Sequence, residues 1–146
     1  PLRSGETVRA DVRGELEDGL PPVRWDEDEL RRVFVNLVAN AVQSIDEGKG
    51  RVRIVVRTAR SKVPGSGREA VLVTVTDDGV GILAENRVRL FEPDFSTKTH
   101  GTGLGLAICR RIVTDLSGEI RIDSAPGVGT TVSTWLPAAH AAADSP

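Results

Sequence analysis

Methionine is absent from this 146-residue chain, and cysteine occurs once, as Cys109. A lone cysteine excludes an internal disulfide, and its place in the apolar run "GLAICRRIV" marks a buried, inert thiol compatible with a reducing compartment. Long apolar runs are missing too. None approaches the roughly 20 residues of a membrane span, and the opening "PLRSGETVRA" holds no signal-peptide core. This stretch is therefore expected to make no direct membrane contact and to be cytoplasmic. An excess of either charge is also lacking: 19 Lys plus Arg are scattered among 21 Asp plus Glu, for a net charge of -2. That balance leaves no basic footprint for nucleic acid. The initial proline and the missing methionine lead us to expect a fragment of a longer polypeptide, which leaves membrane anchoring of the whole protein open.

The length suits one core. "ETVRADVRGEL" alternates apolar and polar residues and reads as an edge strand ended by "GLPP". Asp26, with Glu29 three residues on, forms a variant capping box. It opens a helix whose apolar residues Leu30, Val33, Phe34, Leu37, Ala41 and Ile45 recur at threes and fours. "RVRIVVRTAR" and "AVLVTVTD" alternate again around "KVPGSGRE", predicting a hairpin with a long loop. A short helix follows in "AENRVRLF", and then a polar, aperiodic segment at 92–102 that should be mobile. A second strong helix is predicted over about 103–116, and "GEIRIDSAPGVGTTVSTWLP" reads as a closing hairpin. These elements imply an α+β fold, a two-layer sandwich. Its mixed, mostly antiparallel sheet has about five strands, covered on one face by about three helices. We expect one domain over 1–137 and a disordered alanine-rich tail over 138–146.

Three groups of residues invite a chemical reading. Asn36, Asn40 and Gln43 fall at i, i+4 and i+7 on the first helix and, with Glu29, form a polar stripe on an apolar rod. Such a stripe is either a face that meets water or a platform for a metal-nucleotide complex. An amide oxygen is a suitable neutral Mg²⁺ ligand where phosphates already supply the negative charge. In "VTDDGVGI", Asp77 stands at a strand end before Gly79 and Gly81, as an ordinary Asp-Gly turn or as a backbone opened for a flat group with an amine. In "HGTGLGL", glycines alternate at Gly101, Gly103 and Gly105 just before a helix. The pattern matches neither the dinucleotide fingerprint nor a P-loop. Glycines there expose backbone N–H groups at the positive end of a helix dipole, a general anion site.

Taken in order, these segments resemble the ATP-binding catalytic domain of sensor histidine kinases. That domain belongs to the GHKL superfamily, shared with gyrase B, the ninety-kilodalton heat-shock chaperone and the mismatch-repair MutL proteins. "NLVANA" is similar to the N box, "DDGVGI" to the G1 box, "LFEPDFSTK" to the F box, "GTGLGLA" to the G2 box and "GVGTT" to the final glycine box. The resemblance implies the GHKL fold, ATP and Mg²⁺ as ligands, and protein-histidine kinase activity. It gives Asn40, assisted by Asn36, to the metal, and Asp77 to the adenine amine, with Thr130 supporting through water. Gly79, Gly81 and Ile82 would shape the base pocket. Residues 92–102 would form the ATP lid with Lys98 as its cation, and Gly101, Thr102, Gly103, Leu104 and Gly105 would hold the phosphates.

The family donates the γ-phosphoryl group to a histidine on a separate helical dimerisation domain, and onward to a response-regulator receiver domain. Here the only histidines are His100 and His140, neither placed where the family has its acceptor. The ATPase members carry a water-activating glutamate at the position of Asn36, so the sequence favours transfer over hydrolysis. Gln43 stands where many histidine kinases have Lys or Arg, a pattern similar to nitrogen-regulatory sensor kinases. Asp94 departs from the usual F box, either repelling phosphate or capping a lid turn. Two alternative readings stay in view: a degenerate ATP-sensing or protein-docking module, and a GHKL ATPase.

Overall fold

Asp26 sits in extended backbone at φ -64° and ψ 124°, and its carboxylate accepts the N–H groups of Asp28 and Glu29 at 2.9 and 3.2 Å. This is the expected N-cap, reinforced by three acidic residues in the first turn, which complement the helix dipole. The helix it starts, α1, runs Glu27–Gln43 and buries Val33, Leu37 and Ala41, the i, i+4 stripe read from the sequence. The computed structural model describes residues 9–45, 50–87, 89–91 and 105–139.

Five strands form one sheet among the described residues: β1 Arg9–Leu16, β2 Arg51–Lys62, β3 Glu69–Asp77, β4 Glu119–Ala125 and β5 Gly129–Pro137, in the order β1-β2-β3-β5-β4. Only the β1–β2 pair is parallel. A second long helix, α3, runs Gly105–Asp115, after a four-residue helix α2, Ala84–Arg87. The architecture is thus the expected α+β sandwich, with two long helices and one short one among the described residues. The β2–β3 connection is tighter than predicted. The strands run on until only Val63 to Arg68 remain, closed by Val63 N–H donating to Arg68 O at 2.8 Å and Gly67 N–H to Val63 O at 2.9 Å.

α1 and α3 cover one face of the sheet. Val33, Leu37 and Ala41 meet Cys109, Ile112 and Val113 above Val52, Ile54, Val75, Ile120 and Val132. A smaller cluster, Val71, Val73 and Leu136, is roofed by Leu20, Val23, Trp25, Leu30 and Phe34, which seats the N-terminal half of α1. The opposite face carries polar pairs such as Thr76 and Thr131, whose hydroxyls lie 3.1 Å apart. Packing does not stop at Pro137, the expected domain end. Ala138 is buried and bridges Val23, and Ala139 N–H donates to Pro22 O at 2.8 Å, so these two residues depart from the expected disordered tail. Their pairing satisfies backbone groups that a free tail would leave to water. The rest of that tail lies outside the described residues.

Candidate functional site

At one end of the helix-covered face, Asp77, Thr130 and Ser124 stand in register on β3, β5 and β4, so the three side chains form a row across adjacent strands. Asp77 and Thr130 are buried. The Asp77 carboxylate accepts Gly79 N–H at 2.9 Å, which turns the chain as it leaves β3. Ser124 Oγ lies 2.8 Å from Thr130 Oγ1, accepts Ile82 N–H at 2.8 Å and donates to Gly129 O at 3.0 Å. The loop after Asp77 is therefore tied to the β4–β5 hairpin through one hydroxyl.

Two glycines of that loop are needed for close approach. A Cβ on Gly79 would strike the hydroxyl and carbonyl of Ser44, the C-cap of α1, whose carbonyl accepts Val80 N–H at 2.8 Å. Gly81 has φ +74°, and a Cβ there would strike the Ala125 carbonyl. The loop is wedged between the end of α1 and the β4–β5 turn, where Gly127 N–H donates to Val80 O at 2.8 Å.

The N-box asparagines meet the start of α3. A Cβ built on Gly105 would lie 3.8 Å from Asn40 Nδ2 and 3.9 Å from Asn36 Cγ, ordinary contact distances. Both asparagines are half-buried, whereas Gln43 and Glu29 are exposed, so the polar stripe divides into an inner pair and an outer pair. One turn along α3, the Cys109 thiol donates to Val33 O at 3.6 Å, with the Asn36 amide beside it. Burial pushes the Cys109 thiol up to about 11, with the Asn36 amide opposing it. The reading of Cys109 as a buried thiol agrees with its zero exposure.

The fold thus gathers Asn36, Asn40 and Gly105 at the α1–α3 contact, and Asp77, Gly79, Gly81, Ile82 and Thr130 at the strand ends. Lys98, Gly101, Thr102, Gly103 and Leu104, with the rest of the expected lid, lie outside the described residues. Ser44 and Ser124 are absent from the sequence-derived set. Ser124 lies 42 positions from Ile82, and nothing local announces that one of its partners comes from another loop. Among the described residues no group of His, Cys, Asp or Glu is placed to hold a metal ion. No described helix is long and apolar enough to cross a membrane.

Over residues 25–140 the chain matches the family described as histidine kinase-, DNA gyrase B-, and HSP90-like ATPase. It is 36% identical over 134 residues to the signal transduction histidine-protein kinase AtoS of Escherichia coli strain K12, covering 92% of this chain and 21% of that protein. It is 39% identical over 120 residues to the sensory histidine kinase/phosphatase NtrB of Rhodobacter capsulatus, covering 77% of this chain and 33% of that protein. The catalytic domain of histidine kinase ThkA, in a nucleotide-free form, superimposes with a TM-score of 0.72 at 30% identity over 88% of this chain and 79% of that one. Full-length ShkA in complex with AMPPNP gives 0.69 at 25% identity, over 90% of this chain and 27% of that one. The chain therefore spans a fifth to a third of the length of these curated relatives. By family match and by fold, the chain belongs to the histidine kinase-, DNA gyrase B- and HSP90-like ATPases, and its relatives there are sensor histidine kinases.

Proposed function

We propose that this domain binds Mg-ATP and donates the γ-phosphoryl group to a histidine on a separate dimerisation and phosphoacceptor domain of the same cytoplasmic kinase machinery. A response-regulator receiver domain would then take the phosphoryl group onward. The observation that carries this reading is the meeting of Asn36 and Asn40 with Gly105, the first residue of α3. It brings two neutral side-chain amides, of a chemistry suited to a metal already bearing phosphate, beside the first turn of a helix, suited to the phosphates themselves.

In this reading Asn40 holds the metal and Asn36 assists, while the Cys109 thiol, bonded to Val33 O, helps keep α1 and α3 in register. When bound, Mg²⁺ neutralises charge on the phosphate oxygens. Asp77 takes the adenine amine, Thr130 supports it, and Gly79, Gly81 and Ile82 shape the pocket for the ring. Lys98 and the backbone from Gly101 to Gly105 are assigned to the phosphates. An acceptor imidazole nitrogen attacks the γ-phosphorus, the bond to the β–γ bridging oxygen breaks, and ADP leaves with the electron pair. Asn36 offers no base to activate water, which favours an imidazole over hydrolysis.

Calorimetry of ATP binding with and without Mg²⁺, with GTP as control, tests the site. Transfer from radiolabelled ATP to the full-length protein's histidine-bearing domain, supplied separately, tests the reaction. Asn40→Asp should weaken Mg-ATP binding at least about tenfold or abolish transfer. Normal transfer by that variant removes Asn40 from the metal role. Steady hydrolysis without an acceptor would favour the ATPase reading, and no binding at millimolar ATP would mean that the site needs its helical partner or that the docking-module reading moves to the front.

A further inference from the structure

Among the described residues Ser124 makes three hydrogen bonds, which can be assigned together. A serine hydroxyl has one hydrogen and two lone pairs. Ile82 N–H can only donate, so its 2.8 Å contact uses one lone pair of Ser124 Oγ. Gly129 O can only accept, so its 3.0 Å contact uses the one hydrogen. The assignment that satisfies all three contacts at once leaves the second lone pair toward Thr130 Oγ1, 2.8 Å away, with Thr130 as the donor. The Thr130 hydroxyl hydrogen is thereby consumed, and Thr130 is left with lone pairs alone. Its register partner on the other side is Asp77, whose carboxylate also accepts.

We propose that Ser124 is a specificity-determining positioning residue: by consuming the hydroxyl hydrogen of Thr130, it makes the Asp77–Thr130 pair an all-acceptor edge that takes an amine and rejects a carbonyl. This deepens the proposed nucleotide reading and rests on it. An adenine presents an exocyclic amine to such an edge, directly or through a water, whereas a guanine presents a carbonyl oxygen at the same place and finds no donor. Without Ser124, the Thr130 hydroxyl rotates freely and can donate, so the edge becomes indifferent. The same serine anchors Ile82, but an anchor alone acts on every nucleotide alike; polarity of the edge acts on the ratio.

The test is the ratio of ATP to GTP affinity, measured by calorimetry on this chain with Mg²⁺. Ser124→Ala should narrow that ratio by about tenfold, the share one ordinary hydrogen bond commands. Ser124→Thr, which keeps the hydroxyl, should restore it. Thr130→Val leaves the Ser124 bonds to Ile82 and Gly129 in place and should narrow the ratio alike, and Ser124→Ala added to Thr130→Val should narrow it no further. Thr130→Val carries the test should Ser124→Ala fail to fold. An equal loss of ATP and GTP affinity in Ser124→Ala, or additive effects in the double variant, would overturn the proposal and leave Ser124 as a loop anchor. Unmutated protein that binds ATP and keeps its preference in Ser124→Ala overturns this inference only. Unmutated protein that binds neither nucleotide overturns the nucleotide reading, and this inference with it.

Discussion

The side chain of Thr134 has no exposed surface, and its hydroxyl has no hydrogen-bond partner among the described residues. It stands on β5 between Val73 and Ile120, where the sheet meets the helices. A buried hydroxyl without a partner carries a desolvation penalty of about 1 to 3 kcal/mol, which an apolar group of the same shape avoids. Thr134→Val should therefore stabilise the domain by about 1 kcal/mol, read as a higher urea midpoint at unchanged slope. An unchanged or lower midpoint would mean that the hydroxyl is satisfied. Cys109 poses the converse case. Its thiol is raised from 9.0 to about 11 by burial, so below 9 folded and unfolded chains carry the same proton. Between 9 and 11 the unfolded chain loses that proton first, and this contribution to stability falls as pH rises through the window. The folded domain should resist a thiol reagent at neutral pH, and its urea midpoint should decline across that window more than that of Cys109→Ala. Rapid labelling at pH 7 would refute the burial account. At this scale the sequence makes Asp77 legible, because a carboxylate followed by alternate glycines is a local pattern. It hides Ser124, whose three partners converge only after β4 and β5 pair.

Among the elements, the loop from Asp77 to Ile82 is defined by what its glycines touch. The glycine pattern signals an opened backbone, but not that Gly79 is seated on the cap of α1 or Gly81 on the Ala125 carbonyl. Those contacts link residues far apart in sequence, which periodicity and spacing do not reach. Asp26 is the opposite case: its capping role depends on Asp28 and Glu29, two and three residues away, and was readable at once. Gly79→Ala places a methyl against the Ser44 hydroxyl and carbonyl, and part of that obstacle is backbone. It should cost about 1 to 3 kcal/mol of stability, as overpacking does. Gly14 provides the control, since a Cβ there lies 3.9 Å from Leu16 Cγ and meets only ordinary contact. Gly14→Ala should leave stability unchanged or raise it by a few tenths of a kcal/mol, roughly, by restricting the unfolded chain. Urea unfolding of the two variants measures both; equal effects would show that the Gly79 approach relaxes without cost.

For the whole molecule, the strand count and the sandwich follow from alternation and helical period, while sheet order does not. The parallel pairing of β1 with β2 requires knowing that the chain crosses through α1 between them. The segment read as an edge strand is β1, at the end of the sheet order, where Val12 and Leu16, on the face shared with Ile54, are 59% and 68% exposed. The helices stop covering the sheet before its edge. On the other face, Asp11 is held below the usual carboxylate range first by its hydrogen bond from Arg9, with Arg51 adding, and Glu15 by its hydrogen bond from Arg57. These ion pairs are solvent-exposed and hold the edge weakly. β3 is the contrast, paired on both sides and buried at Ala70, Val71, Val73, Val75 and Asp77. Opening β1 exposes little apolar surface, whereas opening β3 dissolves both core clusters, so the two strands should separate in hydrogen exchange. Amides of β3 should exchange only through global unfolding, with protection that tracks urea stability. Those of β1 should exchange by local opening, with protection that hardly changes as low urea is added. Thr134→Val, which raises global stability, should slow β3 and leave β1 alone. Equal protection in the two strands, or an equal response to that substitution, would mean that the uncovered edge folds and unfolds as one unit with the core.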